Sequence, residues 1–122
     1  MIVVVDDDPS VRKALQRLLR TAQMTAETYA SGDEFLARSE DRDPDCMIVD
    51  VRMPGMSGPD LRNRLLVLGR RIPTIYITAH VHEVPSGPAA PGVIPEVLHK
   101  PFDDTSLLAC IERCIRPPPR GE

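Results

Sequence analysis

Four short apolar runs in this chain each end in a polar residue. Ile2 to Val5 leads into Asp6 and Asp7, Cys46 to Val49 into Asp50, Ile75 to Ile77 into Thr78, and Val97-Leu98 into His99 and Lys100. Runs this short and this uniformly apolar fit strands of a parallel sheet covered on both faces. The carboxyl ends of such strands share one edge, which is where open α/β sheets bind ligands. Groups far apart in the chain therefore converge: carboxylates, a hydroxyl and an ammonium.

Helical patterns separate the runs. Asp8-Pro9 supplies an N-cap and a proline at the first helical position, followed by Val11, Leu15, Leu18, Leu19 and Ala22 on one face and Arg12, Lys13, Arg17 and Arg20 on a solvated one. Ala26 to Tyr29 reads as a second strand, and Ser31-Gly32-Asp33-Glu34 has the capping-box pattern ahead of Phe35, Leu36 and Ala37. The turn Met53-Pro54-Gly55-Met56-Ser57-Gly58 precedes a helix with Leu61, Leu65 and Leu68, closed by Gly69. Thr74 to Thr78 forms the fourth strand. A last helix begins at Asp103 or Asp104 and carries Leu107, Ile111, Cys114 and Ile115 on one face.

This alternation predicts right-handed βαβ units and an α/β, flavodoxin-like, doubly wound sheet of five parallel strands in the order 2-1-3-4-5. Asp6, Asp7 and Asp50 then flank the crevice between the first and third strands. One segment breaks the pattern. Residues 84–96 contain Pro85, Pro88, Pro91 and Pro95 with Gly87 and Gly92, so a fourth helix there is broken or missing, each interior proline costing about 3 kcal/mol. Residues 116–122, with Pro117-Pro118-Pro119, read as a tail or the start of a linker, which leaves residues 1–115 as one domain.

A net charge of −3 gives no broad electrostatic footprint for nucleic acid or an anionic membrane. Three cysteines without disulfide-framework spacing suit a reducing compartment, and the absence of a signal-peptide pattern or a long apolar span points to the cytoplasm.

Three converging carboxylates repel one another, by about 4 kcal/mol for a close pair at surface-like dielectric. A divalent cation resolves the conflict, and hard oxygen donors favour Mg²⁺. Capping is the plainer role for an acid before a helix, but Asp8 alone can fill it. Asp50, at the end of a buried strand, is placed as a nucleophile able to form an aspartyl phosphate. Thr78 has a hydroxyl to donate to a phosphoryl oxygen, and Lys100 supplies a point charge.

Asp6-Asp7, Asp50 with the Met53-to-Gly58 turn, Thr78-Ala79 and Lys100-Pro101-Phe102 together resemble the receiver domain of bacterial two-component response regulators, the CheY-like family, over roughly Ile2 to Ile115. The run from Val49 to Gly58 and the run Ile77-Thr78-Ala79-His80 are closest to its FixJ-like branch. The resemblance implies that Asp50 is phosphorylated by a sensor histidine kinase. It also implies that Mg²⁺ is held by Asp7, Asp50 and the backbone carbonyl of Arg52, with Asp6 assisting through water. Thr78 is the implied switch hydroxyl and Lys100 the phosphate-pairing residue, with a cis Lys100-Pro101 peptide. A signalling phosphoacceptor of this kind catalyses only its own phosphoryl transfer and dephosphorylation. Further partners implied are a second copy of the chain and, in a longer chain, a C-terminal output domain such as a transcription regulator.

Two departures stand out. Val97 occupies the place of the family's usual aromatic residue, three positions before the lysine, and the proline-rich stretch occupies the place of the fourth helix. They leave an alternative: a receiver-fold interaction domain in which phosphorylation is uncoupled from output. A third possibility, an aspartate-nucleophile phosphatase, expects a second acid two residues after the nucleophile, where Arg52 stands. His80, His82 and His99 read as solvated histidines, and Cys110 and Cys114 as a buried apolar pair rather than a redox or metal site.

Overall fold

In the computed structural model, which describes residues 1–38, 43–79 and 96–115, the apolar runs are the strands of a single sheet. Ile2–Val5 forms β1, Ala26–Tyr29 β2, Cys46–Asp50 β3, Thr74–Thr78 β4 and Glu96–His99 β5. They lie in the order β2-β1-β3-β4-β5 with every neighbouring pair parallel, as the sequence predicts. The register sets Val5 beside Val49, Asp50 beside Ile77 and Thr78 beside His99, so the polar residues that follow each run share one edge.

Alternation along the strands splits the core into two layers. On one face Val4, Ile48, Ile75 and Ile77 pack with Leu15 and Leu19 of α1 (Pro9–Thr21) and with Leu107 and Ile111 of α4 (Asp104–Ile115). On the other, Val3, Val5, Met47, Val49 and Tyr76 pack with Phe35 of α2 (Gly32–Ala37) and with Leu61 and Leu65 of α3 (Gly58–Val67). Each such buried aliphatic side chain contributes about 1.5–3 kcal/mol, so the sheet is a rigid platform for its edge.

The helix starts follow the expected chemistry. Asp8 caps α1 by accepting from the Ser10 amide at 2.9 Å, and Ser31 caps α2 by accepting from Glu34 at 3.0 Å. The reciprocal half of that second capping box is displaced: the Glu34 carboxylate accepts from the Ala30 amide, one residue before the cap, at 3.3 Å. A complete box forms instead at α3, between Ser57 and Asp60.

The third helix closes where the sequence predicts, with Leu68 as its 60% exposed C-cap and Gly69 left-handed (φ 78°) after it. Two expectations are corrected. Ile115 is 42% exposed as the last residue of α4, beyond the face that Leu107 and Ile111 bury. Arg12 leaves the solvated face of α1 and donates from Nη1 to the Asp6 carbonyl at 2.7 Å. Of the segment 84–96, read as a broken or missing fourth helix, residues 84–95 lie outside the described residues, as do His80, His82 and the 116–122 tail, whereas Glu96 opens β5.

Candidate functional site

Asp6, directly after β1, is fully buried. Its Oδ1 accepts the Asp8 amide at 2.9 Å, and Arg12 holds its backbone carbonyl. The loop between β1 and α1 is thus tied down from both sides of this residue. Its Oδ2 is buried with no hydrogen-bond donor among the described residues, and the nearest cation is Lys100 Nζ at 3.6 Å. The same Nζ lies 3.6 Å from Asp50 Oδ2, while Asp50 Oδ1 accepts a long bond from the Arg52 amide at 3.4 Å. Asp7 points to solvent, yet Asp6, Asp7 and Asp50 each offer an oxygen within 4.8 Å of the others.

Lys100 reaches this point because the ladder between β4 and β5 continues past the strands. Its amide donates to the Thr78 carbonyl at 2.7 Å, and the peptide to Pro101 is cis. Thr78 itself is buried at the end of β4, on the strand next to that of Asp50. Ala79 beside it is exposed. The structure therefore brings Asp6, Asp7, Asp50 and Lys100 into one cluster, with Thr78 joined to it through the backbone of Lys100 and Arg52 through its amide.

One ammonium lies beside two of the three clustered carboxylates, and the imbalance appears in the proton affinities of Asp6 and Asp50. Burial raises the Asp6 pKa; the Asp8 amide and Lys100 oppose the rise, while Asp50 and Asp7 add to it. Asp50 is likewise raised, first by burial and further by Asp7, against Lys100 and the Arg52 amide. A hard divalent cation fits this donor set: all the side-chain donors are carboxylate oxygens, one buried oxygen lacks a donor, and the local charge is negative.

Gly58 is the residue that sequence reading placed only in a turn. A Cβ there would stand 2.5 Å from the Asp50 carbonyl oxygen and 3.2 Å from the Val51 Cα. Its amide donates to the Val51 carbonyl at 3.0 Å, clamping the start of α3 onto the strand end that carries Asp50. The signal was present in the sequence, since glycine is a poor helix former and here follows the Ser57 cap directly, at the first helical position.

Comparison with known proteins gives a consistent picture. Residues 2–112 match the family described as response regulator receiver domain. The chain is 36% identical over 115 residues to the DNA-binding transcriptional regulator NtrC of Salmonella typhimurium, covering 94% of this chain and 24% of that protein. Response regulator protein TodT of Pseudomonas putida is 34% identical over 122 residues, covering 98% of this chain and 53% of its own length. Among solved structures, the FixJ-N crystal structure superposes with a TM-score of 0.77 at 32% identity, covering 93% of this chain and 91% of that one. The chain thus spans from about a quarter to about half of the length of these two full-length relatives.

Proposed function

The chain belongs to the response regulator receiver domain family, and on that premise we propose that it is a phosphoacceptor in which Asp50 takes a phosphoryl group from the phosphohistidine of a sensor histidine kinase. The observation that supports this reading most is the position of Lys100 Nζ, 3.6 Å from both Asp6 and Asp50 at the head of a three-carboxylate cluster.

An Asp50 carboxylate oxygen attacks phosphorus, the bond from phosphorus to the histidine nitrogen breaks, and the imidazole leaves with the electron pair. Lys100 already faces the nucleophile and neutralises charge on the incoming phosphoryl oxygens. The Thr78 hydroxyl, at the neighbouring strand end, donates to one of those oxygens. Asp6, Asp7, Asp50 and the Arg52 carbonyl are the groups to hold Mg²⁺, which when bound supplies charge neutralisation in a phosphoryl transfer. Exposed Ala79 leaves the mouth of the site open to the kinase.

Receiver domains are signalling modules, and dephosphorylation here is the domain's own hydrolysis of its acyl phosphate. Histidine kinase signalling, cytoplasmic location and coupling to an output domain in a longer chain follow from the same reading. Among the described residues no helix is long and apolar enough to cross a membrane. Incubation with acetyl phosphate and Mg²⁺ tests the proposal: intact-mass spectra gain one phosphoryl group on wild type and none on Asp50→Asn. An unmodified wild-type protein would refute it.

A further inference from the structure

One member of the carboxylate cluster is not gripped by its own side chain. Asp6 is buried and its Oδ1 accepts the Asp8 amide at 2.9 Å, while Asp50 is fixed by β3 and accepts the Arg52 amide. Asp7 is exposed, and no hydrogen-bond donor among the described residues holds its carboxylate. It nevertheless offers an oxygen within 4.8 Å of oxygens on the other two. The place of the Asp7 carboxylate is therefore set by the backbone on either side of it.

Arg12 holds that backbone from both flanks. The Asp6 amide still belongs to the sheet, donating to the Tyr29 carbonyl at 3.1 Å, and there the chain turns away toward α1. The Asp6 carbonyl accepts from Arg12 Nη1 at 2.7 Å. That carbonyl is part of the peptide joining Asp6 to Asp7, so the bond fixes the plane from which Asp7 projects. On the far side of Asp7, the Asp8 carbonyl accepts the Arg12 amide at 3.1 Å. Any residue at position 12 supplies the amide; only a long donor side chain supplies the other bond. Lys13, Arg17 and Arg20 on the same helix are exposed, whereas Arg12 is partly buried against the loop.

We propose, on the reading of this edge as a Mg²⁺ site, that Arg12 is a positioning residue: its guanidinium fixes the Asp6–Asp7 peptide and so presents the Asp7 carboxylate to the ion. It acts through Asp7 rather than on the ion. Groups that orient metal ligands without touching the metal are commonly worth about 10- to 100-fold in affinity, because an ion repays only donors already in place. A positive charge elsewhere on α1 cannot substitute, since the effect is carried by a hydrogen bond to one carbonyl.

Titration of the full chain with MgCl₂ at constant ionic strength, followed by ¹H–¹⁵N nuclear magnetic resonance, reads this affinity without any phosphoryl transfer. Arg12→Met keeps the aliphatic stem and removes the donors, and Arg17→Met removes the same charge from the exposed face of the same helix. The expected dissociation constant for Mg²⁺ is about 10-fold or more weaker in Arg12→Met. It is unchanged in Arg17→Met and partly restored in Arg12→Lys, whose ammonium can donate to the same carbonyl. The Mg²⁺ concentration giving half the maximal rate of phosphorylation by acetyl phosphate follows the same order. If Arg12→Met does not fold, Arg12→Gln, too short to reach the carbonyl, takes its place. A wild-type spectrum indifferent to Mg²⁺ would overturn the metal site itself and the role of Arg12 with it. Equal affinities in wild type and Arg12→Met, or an equal loss in Arg17→Met, would overturn the role of Arg12 and leave the metal site standing.

Discussion

The two ends of strand β3 are built on opposite plans. At its start Cys46 is sealed in the core among aliphatic side chains. At its end Asp50 belongs to a three-carboxylate cluster in which Asp6 and Asp50 share one lysine and a buried oxygen of Asp6 lacks a hydrogen-bond donor among the described residues. The five residues of β3 lead from a sealed interior to an unsatisfied edge. The sheet supplies the stability, and the edge is left short of positive charge, which a bound cation would supply. Burial that stabilises Ile48 in the middle of the strand is what raises the proton affinity of Asp50 at its end.

Substitutions at the two ends should therefore differ in kind. The largest effect expected is at the edge: Asp50→Asn abolishes phosphorylation by acetyl phosphate while leaving the far-ultraviolet circular dichroism unchanged. In the interior, Ile48→Ala should cost about 2–5 kcal/mol in urea denaturation through the cavity it leaves, and folded Ile48→Ala protein should still be phosphorylated. A variant that lost phosphorylation while fully folded would show that the two regions are not separable.

Gly58→Ala joins the regions, because its Cβ would meet the backbone of Asp50 at 2.5 Å. Crowding against backbone rather than a flexible side chain predicts a loss of about 1–3 kcal/mol, together with slower phosphorylation in the folded protein. Unchanged stability and rate would remove Gly58 from the site.

The smallest effect has the opposite sign. Asp6 and Asp50 have folded pKa values raised above 3.8 by burial, so the stability linked to each is fully present below that value and is lost as pH rises through the raised folded value. In metal-free buffer at neutral pH, Asp6→Asn should accordingly be more stable than wild type, and the gain should shrink on acidification toward pH 3.8. Urea midpoints at several pH values check the trend; a gain independent of pH would break the link to carboxylate burial.

Much of this contrast was legible in the sequence. The strand runs, their order and the polar residues ending them follow from period and from the parallel-sheet rules, and the Asp6, Asp7, Asp50 and Lys100 cluster assembles where those rules place it. Other features depend on geometry that no local pattern encodes. Arg12 is placed by helical periodicity on a solvent face, but the tight loop between β1 and α1 brings the Asp6 carbonyl within its reach. Lys100 sits at equal distance from two carboxylates because of the β4–β5 register and the bond from its amide to Thr78. Ile115 is exposed because α4 ends there, beyond the turn that Leu107 and Ile111 bury.

On the proposed reading, a divalent cation relieves the shortage of positive charge at the carboxyl edge. Thermal melting of wild type titrated with MgCl₂ at constant ionic strength tests it most directly, beside Asp7→Asn. The account predicts a melting temperature that climbs with the logarithm of Mg²⁺ above the dissociation constant, and a much weaker climb for Asp7→Asn. A wild-type melting temperature indifferent to Mg²⁺, or an equal rise in the variant, would contradict it.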